Sequence, residues 1–297
     1  MASMQRAATD RTNRTKLWLF ALLYGALIIA SIVSFMRAGE LQFGRKPWQN
    51  LSKTIGEMSH PSFVDVWFGA PRVEFKNDAG VVLRIENRQD RERDYLIGLA
   101  EAIWTTLKVA TLGSLLAAIT ALPFGLIAAR NMALPNWLAI PVRLVLDAAR
   151  AIHALVFGLL LVGIIGLGPM AGILAIALHS FGSYGKLYAE TLETVDQRWI
   201  ASGLVIGMTP LQTVVYALPR TLLPQVLSIH LYLWEFNVRD STILGLIGVG
   251  GLGLLVSEAV SLFQWDRLAT LLIALVLLVI GFDRISARMR AVLVART

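Results

Sequence analysis

Two short stretches gather side chains able to hold an anion. One is Arg143, Asp147, Arg150 and His153; the other is Glu235, Asn237, Arg239, Asp240 and Ser241. Both lie in apolar surroundings. An ionised side chain at the centre of a membrane-spanning helix costs roughly 2.5–3.5 kcal/mol on insertion scales, so these groups should face a bundle interior, a cavity or one another. Helical spacing supplies partners: Arg143 and Asp147 stand at i, i+4, Asp147 and Arg150 at i, i+3, and Glu235 and Arg239 at i, i+4. Two readings stay open, internal pairing alone or pairing plus a place along a solute pathway. In the second, Arg150 and Arg239 keep donors to spare and attract an oxyanion, because the guanidinium fork suits phosphate-like groups. His153, His179 and His230 are scattered, without a partner at metal-ligand spacing, so no metal site is expected.

Enzyme signatures are missing from the sequence. There is no G-x-S-x-G, no H-E-x-x-H and no pair of carboxylates in a polar, catalytic setting. Gly185-Lys186 is followed by Leu187, and Ser180 stands where a phosphate-binding loop needs its first glycine, so ATP hydrolysis has no recognisable route. Moving a solute up a thousandfold gradient costs about 4 kcal/mol, and that work would have to come from a partner or an ion. A chain with no cysteine also has no disulfide, thiolate metal site or thiol nucleophile.

The elements that must position these groups belong to a membrane. Hydrophobic residues make up 56% of the 297 residues and charged ones 16%, too apolar for a surface that mostly faces water. The net charge of +7 is read as loop arginines that set topology, not as a nucleic-acid surface, with membrane lipid as the partner of the apolar faces. Arg6, Arg11, Arg14 and Lys16 precede an uncharged run, Leu17 to Met36, which is taken as an uncleaved first span with its N-terminus inside. Residues 37–97 form an extracytoplasmic insert with ten basic and nine acidic residues. Within it Val73, Phe75, Leu83 and Ile85 alternate with charged residues around Asn77-Asp78-Ala79-Gly80, the pattern of a β-hairpin, and Asp90 to Asp94 reads as a solvated helix start.

Further spans follow. Val109 to Ala129 is uncharged, and its helix is expected to begin nearer Gly98. The uncharged stretch from Ala151 to Gly185 is too long for one helix, and Gly166-Leu167-Gly168-Pro169 divides it, giving spans over about 139–166 and 169–188. Trp199 to Pro219 is uncharged too, yet Thr209-Pro210-Leu211-Gln212 is a capping box with proline at the first helical position, and Gly203 and Gly207 mark the end of a preceding helix. Helix ends in mid-span would strand backbone groups in hydrocarbon, so this stretch is read as a helix-turn-helix at the membrane face. The fifth span then runs from near Leu211 to about Phe236. Gly245, Gly248, Gly250, Gly251 and Gly253 suit close packing or a re-entrant turn, and a last span covers about Asp266 to Phe282, before Arg284, Arg288, Arg290 and Arg296. Basic flanks at both ends place both termini inside and give six crossings.

At the helix-turn-helix the chain resembles a family. Leu187-Tyr188-Ala189-Glu190, Ala201 to Gln212, Leu218-Pro219 and Pro224 to Leu227 look like the coupling loop of ABC-importer permease subunits. Pro123 to Leu126, Asp147 to Ile152, Gly166 to Pro169, Phe236 to Arg239 and Gly248 to Gly253 together resemble the phosphonate-type permease of type I importers, in order and at family spacing over roughly 98–290. Two departures stand out. Ala201 occupies the place of the loop's usual first glutamate, and Leu218-Pro219 comes one residue early relative to Gly207, with register recovered at Pro224.

The resemblance implies an all-α integral membrane protein, six transmembrane helices of the MetI-like fold, with a permease core over 98–290; outside it, charge and hydropathy give a cytoplasmic segment and first span over 1–36, the insert over 37–97 and a cytoplasmic tail over 291–297. It implies a multi-pass subunit of the cell membrane importing phosphonate, phosphate or a related oxyanion by alternating access. Partners would be a second permease copy or paralogue, two ATP-binding subunits carrying ATP and Mg, and an extracytoplasmic substrate-binding protein; no cofactor would sit on this chain. Glu190, Ala201, Gly203, Gly207, Thr209 and Pro210 would couple to the ATPase. Arg150, His153, Asn237, Arg239 and Ser241 would line the pathway, with Gly248, Gly250, Gly251 and Gly253 at a gate or packing point and Arg143, Asp147 and Glu235 as structural charges. The alternatives are a permease for another polar solute, such as an amino acid or osmolyte, and a membrane phosphohydrolase using His153 or His179.

Overall fold

The computed structural model describes residues 2–38, 46–70, 73–76, 82–132, 134–217 and 219–294. The chain divides into two compact units, Met1–Ile55 and Gly56–Thr297. In the first, helix α1 (Ala2–Ala38) is continuous, so the basic N-terminal residues continue the same helix as the apolar stretch. Its Leu17–Ala38 part is long and apolar enough to cross a membrane. Helix α2 (Pro47–Met58) is amphipathic and straddles the division.

The second unit opens with a 3-10 turn at Ser62–Val64 and the short helix α3 (Asp65–Phe68). Strands β1 (Val73–Lys76) and β2 (Val82–Glu86) then pair antiparallel, Val73 with Glu86 and Glu74 with Ile85, as the alternation requires. The expected turn residues Asn77, Asp78, Ala79 and Gly80 lie outside the described residues. Asn87 then caps helix α4 (Arg88–Ala128) by accepting from the amides of Gln89 and Asp90. This helix starts ten residues before Gly98, and with 41 residues it carries the chain from the insert into the apolar region without a break. Its first turns are not simply solvated. Glu92 is only 2% exposed and receives Arg91 and Arg267, each at 3.2 Å, the second from the far end of the chain.

The core of the unit is α4 against α7 (Pro169–Glu193). Small residues let the two backbones close up: a Cβ on Gly113 would stand 2.8 Å from Ile176, and one on Gly125 2.8 Å from Tyr188. Helices α5 (Asn136–Ala151), α6 (Ala154–Ile165) and α10 (Pro219–Leu244) also pack on α7. Enclosed in this way, α7 carries buried Ser180, Tyr184 and Tyr188 and falls short of the apolarity of a lipid-facing span, although its 25 residues reach about 37 Å.

The expected single helix over 139–166 is two. Helices α5 and α6 meet at 88° across Ile152 and His153, and His153 caps α6 by accepting the amide of Leu155 at its own Nδ1. The break at Gly166 to Pro169 falls where the sequence puts it, with Gly166 and Gly168 at φ +91° and +144° and Pro169 opening α7. Helix α8 (Gln197–Val205), a turn and the short helix α9 (Pro210–Gln212) lead through a π-helical turn, Thr213–Ala217, into α10. A second π turn, Gly245–Val249, bends the chain by 57° into α11 (Leu252–Ser261), and α12 (Trp265–Val294) closes the unit. With α4 and α12, three helices among the described residues could each cross a membrane, and the bent pairs α5–α6 and α10–α11 raise this to five. The sixth expected crossing is α7, which its neighbours cover.

Candidate functional site

The loop between α7 and α10 is built by local capping. The amide of Thr209 donates to Gln212 Oε1 at 2.8 Å, and the amide of Gln212 donates back to Thr209 Oγ1 at 3.2 Å, the reciprocal bonds of a capping box. Gly207 turns the chain at φ +82°, and the amide of Met208 closes α8 on the carbonyl of Gly203 at 2.9 Å. Gly203 is buried where a Cβ would meet the side chain of Thr213, so α8 lies directly on the π-helical turn that follows α9. Ala201 is exposed on α8, and Pro210 is the first residue of α9. Leu218 lies outside the described residues. The turn leaves Val205, Ile206, Leu211 and Tyr216 more than half exposed, an apolar ridge on a capped helical hairpin. Such a ridge suits insertion into another protein's groove.

Glu190 stands a turn before the end of α7, where Lys186 Nζ approaches its Oε1 at 4.0 Å and its carbonyl caps the helix. It shares a polar cleft of about 180 Å³ with Arg130, Arg143, Asp147, Lys186 and Glu193. Arg143 does not reach Asp147 as expected. Its Nε donates to the carbonyl of Ala128 at 2.8 Å, tying α5 to the end of α4, and Asp147 takes Arg150 instead, Nε to Oδ1 at 3.0 Å.

The second polar cluster sits farther inside the helices than the sequence places it. Glu235 is joined by Arg239 at 3.1 Å and by Arg290 at 3.2 Å, and Asp283 lies 3.4 Å from the same nitrogen of Arg239. Glu235 is 16 residues beyond Pro219, about 24 Å along a helix, so the cluster is deep in α10, and α12 continues past the expected exit at Phe282 because its charges are met across the helix pair. Arg239 therefore has two carboxylates, not spare donors alone.

Asn237 and Ser241, expected along a pathway, are enclosed. Asn237 is 1% exposed; its Nδ2 donates to Ser114 Oγ at 2.8 Å and its Oδ1 accepts from Ser180 Oγ at 2.8 Å, joining α10 to α4 and α7. Ser241 donates to the carbonyl of Thr106 at 3.0 Å. These are ties between helices. Ser114, Ser180, Thr106, Asp283 and Arg290 are partners that the sequence reading left out, and isolated hydroxyls inside apolar runs were the available signal. The glycine-rich segment packs backbone to backbone: Gly248, Gly250 and Gly251 take φ of +89°, +100° and +74°, a Cβ on Gly251 or Gly253 would enter Thr106 or the carbonyl of Thr242, and the amide of Leu252 donates to Thr106 Oγ1 at 2.9 Å.

His153 and His179 come together at the α5–α6 break, ring centroids 5.8 Å apart. Among the described residues no group of three or more histidine, aspartate or glutamate side chains is placed to hold a metal ion.

Comparison with known proteins adds the following. The profile of the family described as "Binding-protein-dependent transport system inner membrane component" matches residues 121–297. A Stutzerimonas stutzeri chain, HtxC, provisionally named a phosphite transport system permease protein, is 37% identical over 185 residues, 62% of this chain and 66% of that one. The phosphite transport system permease protein PtxC of the same organism is 33% identical over 186 residues, 62% of this chain and 67% of its own length. This chain thus spans about two thirds of the length of these relatives. In structure, it superposes on a chain of an inward-facing MetNI methionine ABC transporter with a TM-score of 0.61 at 19% identity, covering 66% of this chain and 96% of that one.

Proposed function

Because the chain belongs to the family of binding-protein-dependent transport system inner membrane components, we propose that it is the membrane-spanning permease subunit of an ABC importer for phosphite, phosphonate or phosphate. Two such subunits, this one with a copy or paralogue, would form the channel in the cell membrane, with both termini in the cytoplasm. Two partner subunits would bind ATP and Mg and do the work, and an external binding protein would deliver the solute. Phosphite follows the names of the two Stutzerimonas relatives, and phosphonate and phosphate follow the resemblance carried by the sequence motifs.

The observation that carries the coupling role is the hairpin of α8 and α9. Its capping box and Gly207 fix its shape without help from the rest of the chain, and the exposed ridge of Val205, Ile206 and Leu211 offers a handle for a motor subunit. Closure of the ATP-binding subunits would push this handle, and Gly203 against Thr213 would pass the push to the π-helical turn that leads into α10. The test is ATP-driven uptake of phosphite, methylphosphonate and phosphate into vesicles holding the full assembly. Uptake of at least one supports the reading; an assembly that hydrolyses ATP yet moves none of them contradicts the substrate.

A second reading, a permease for a different polar solute, draws on one observation: Arg150 and Arg239 are both paired with carboxylates, which weakens their pull on an anion. Uptake of an uncharged or zwitterionic solute in place of the oxyanions would favour it.

A further inference from the structure

Helix α2 has an apolar side that the chain itself leaves uncovered. At about 3.6 residues per turn, Trp48, Leu51, Ile55 and Met58 fall on one side, and Gln49, Asn50, Lys53 and Glu57 on the other. Trp48, Leu51 and Ile55 are 79%, 48% and 57% exposed, and no residue of α2 is buried. A helix of this length is marginal in water by itself and is ordinarily held by a core under its apolar side. Its position along the chain says what takes the place of that core. The apolar part of α1 ends at Ala38, and α2 begins at Pro47 in the same compact unit, with only residues 39–46 between them. An extended chain of that length reaches at most about 30 Å, so α2 is tethered close to the membrane face where α1 emerges. Its twelve residues make a helix about 18 Å long, too short to cross a hydrocarbon core of about 30 Å but able to lie on it.

We propose that α2 lies flat in the headgroup layer of the leaflet into which α1 emerges, with Trp48, Leu51, Ile55 and Met58 among the upper acyl carbons and the polar side towards water. On the topology proposed above this is the outer leaflet, and the lipid contact holds whichever solute is moved. The size of the face favours lipid over protein. Each partner of a stable protein interface contributes about 800 Å² of matched surface, whereas one side of a helix about 18 Å long and 10 Å wide offers a few hundred. Lipid needs no matched shape, and a tryptophan ring suits the boundary between acyl chain and headgroup. Lys53 and Glu57 leave α2 without net charge, so the contact rests on the apolar side and needs no anionic lipid.

The natural chain has no cysteine, so spin labels can be placed one at a time by Trp48→Cys, Leu51→Cys and Ile55→Cys on the apolar side and Gln49→Cys and Lys53→Cys on the polar side. Each variant of the full assembly is set in vesicles of phosphatidylcholine alone. Collisions of the label with oxygen, which concentrates in the bilayer, are compared with collisions with a nickel chelate, which stays in water. Oxygen should exceed nickel at 48, 51 and 55, and the order should reverse at 49 and 53. Leu51→Asp, combined with the label at Ile55→Cys, should shift the helix towards water by about tenfold or more, read as a gain of nickel access at 55. Nickel access at all five positions, or labels at 48, 51 and 55 closed to both reagents because another protein covers them, overturns the proposal. So does an Ile55→Cys label that ignores Leu51→Asp. The side from which the chelate reaches 49 and 53 reports the topology of α1 separately, so a wrong topology and a wrong lipid contact give different results.

Discussion

Gly203→Ala, taken with Thr213→Ala, probes the joint between α8 and the π-helical turn that leads into α10. A Cβ at Gly203 would enter the space of Thr213 Oγ1 and Cγ2, with Thr213 Cβ at 3.0 Å. Thr213 has no exposed surface, and its amide and hydroxyl both donate to the carbonyl of Thr209, at 2.9 and 3.1 Å. It cannot swing aside without giving up a bond. Overpacking of this kind costs about 1–3 kcal/mol, against a gain of about 0.8–1 kcal/mol from replacing a helical glycine by alanine, so Gly203→Ala alone should lose about 1 kcal/mol. Thr213→Ala loses its hydroxyl bond, also about 1 kcal/mol, and clears the two nearest atoms. In that background Gly203→Ala should gain instead of lose, a coupling of about 2 kcal/mol between the two positions. Unfolding midpoints of the four proteins in a graded SDS titration measure the cycle, and retention of the ATP-binding subunits on purification shows whether the joint carries the handle. Additive effects within about 0.5 kcal/mol would refute the contact and with it the route from α8 to α10.

Other substitutions test separate parts. Asn237→Ala removes the ties to Ser114 and Ser180, and at about 0.6 kcal/mol for each interhelical bond in a membrane it should cost about 1–2 kcal/mol in the same titration and speed amide exchange in α7. Glu92→Ala strands Arg267, which also lies 4.5 Å from the centre of the Tyr95 ring, and should cost about 3 kcal/mol; Glu92→Gln should cost visibly less. Gly251→Ala sets a Cβ against Thr106 at a backbone angle that L-residues avoid, so a loss of about 2–3 kcal/mol and slowed uptake are expected while the ATP-binding subunits stay attached. Gly207→Ala meets open space and carries backbone strain alone, about 1–2 kcal/mol, so Gly207→Asn should restore most of the loss.

What the sequence made legible was the local chemistry. The break at Gly166 to Pro169, the capping box at Thr209 and the close-packed glycines of 245–253 are each written in adjacent residues, and each is where it was expected. What it hid depended on distant partners. The bend at Ile152 and His153 has no glycine or proline to announce it, and a histidine cap is a weak signal. Asp283 and Arg290 read as the end of a span, because nothing nearby shows that Glu235 and Arg239 will neutralise them. Glu92 reads as solvated for the same reason, its partner Arg267 being 175 residues away. In the candidate site, helical spacing points Arg143 at Asp147, but the carbonyl of Ala128, freed by the end of α4, takes it.

The central claim is that residues 197–217 form a cytoplasmic handle gripped by an ATP-binding subunit. The natural chain has no cysteine, so a single one at Val205 or Ile206, both exposed at the tip of the hairpin, can be labelled with a membrane-impermeant thiol reagent in sealed vesicles of known orientation. The account predicts labelling from the cytoplasmic side only, lost when the ATP-binding subunits are assembled and regained when they are stripped away. Labelling from the opposite side, or labelling indifferent to those subunits, would contradict it.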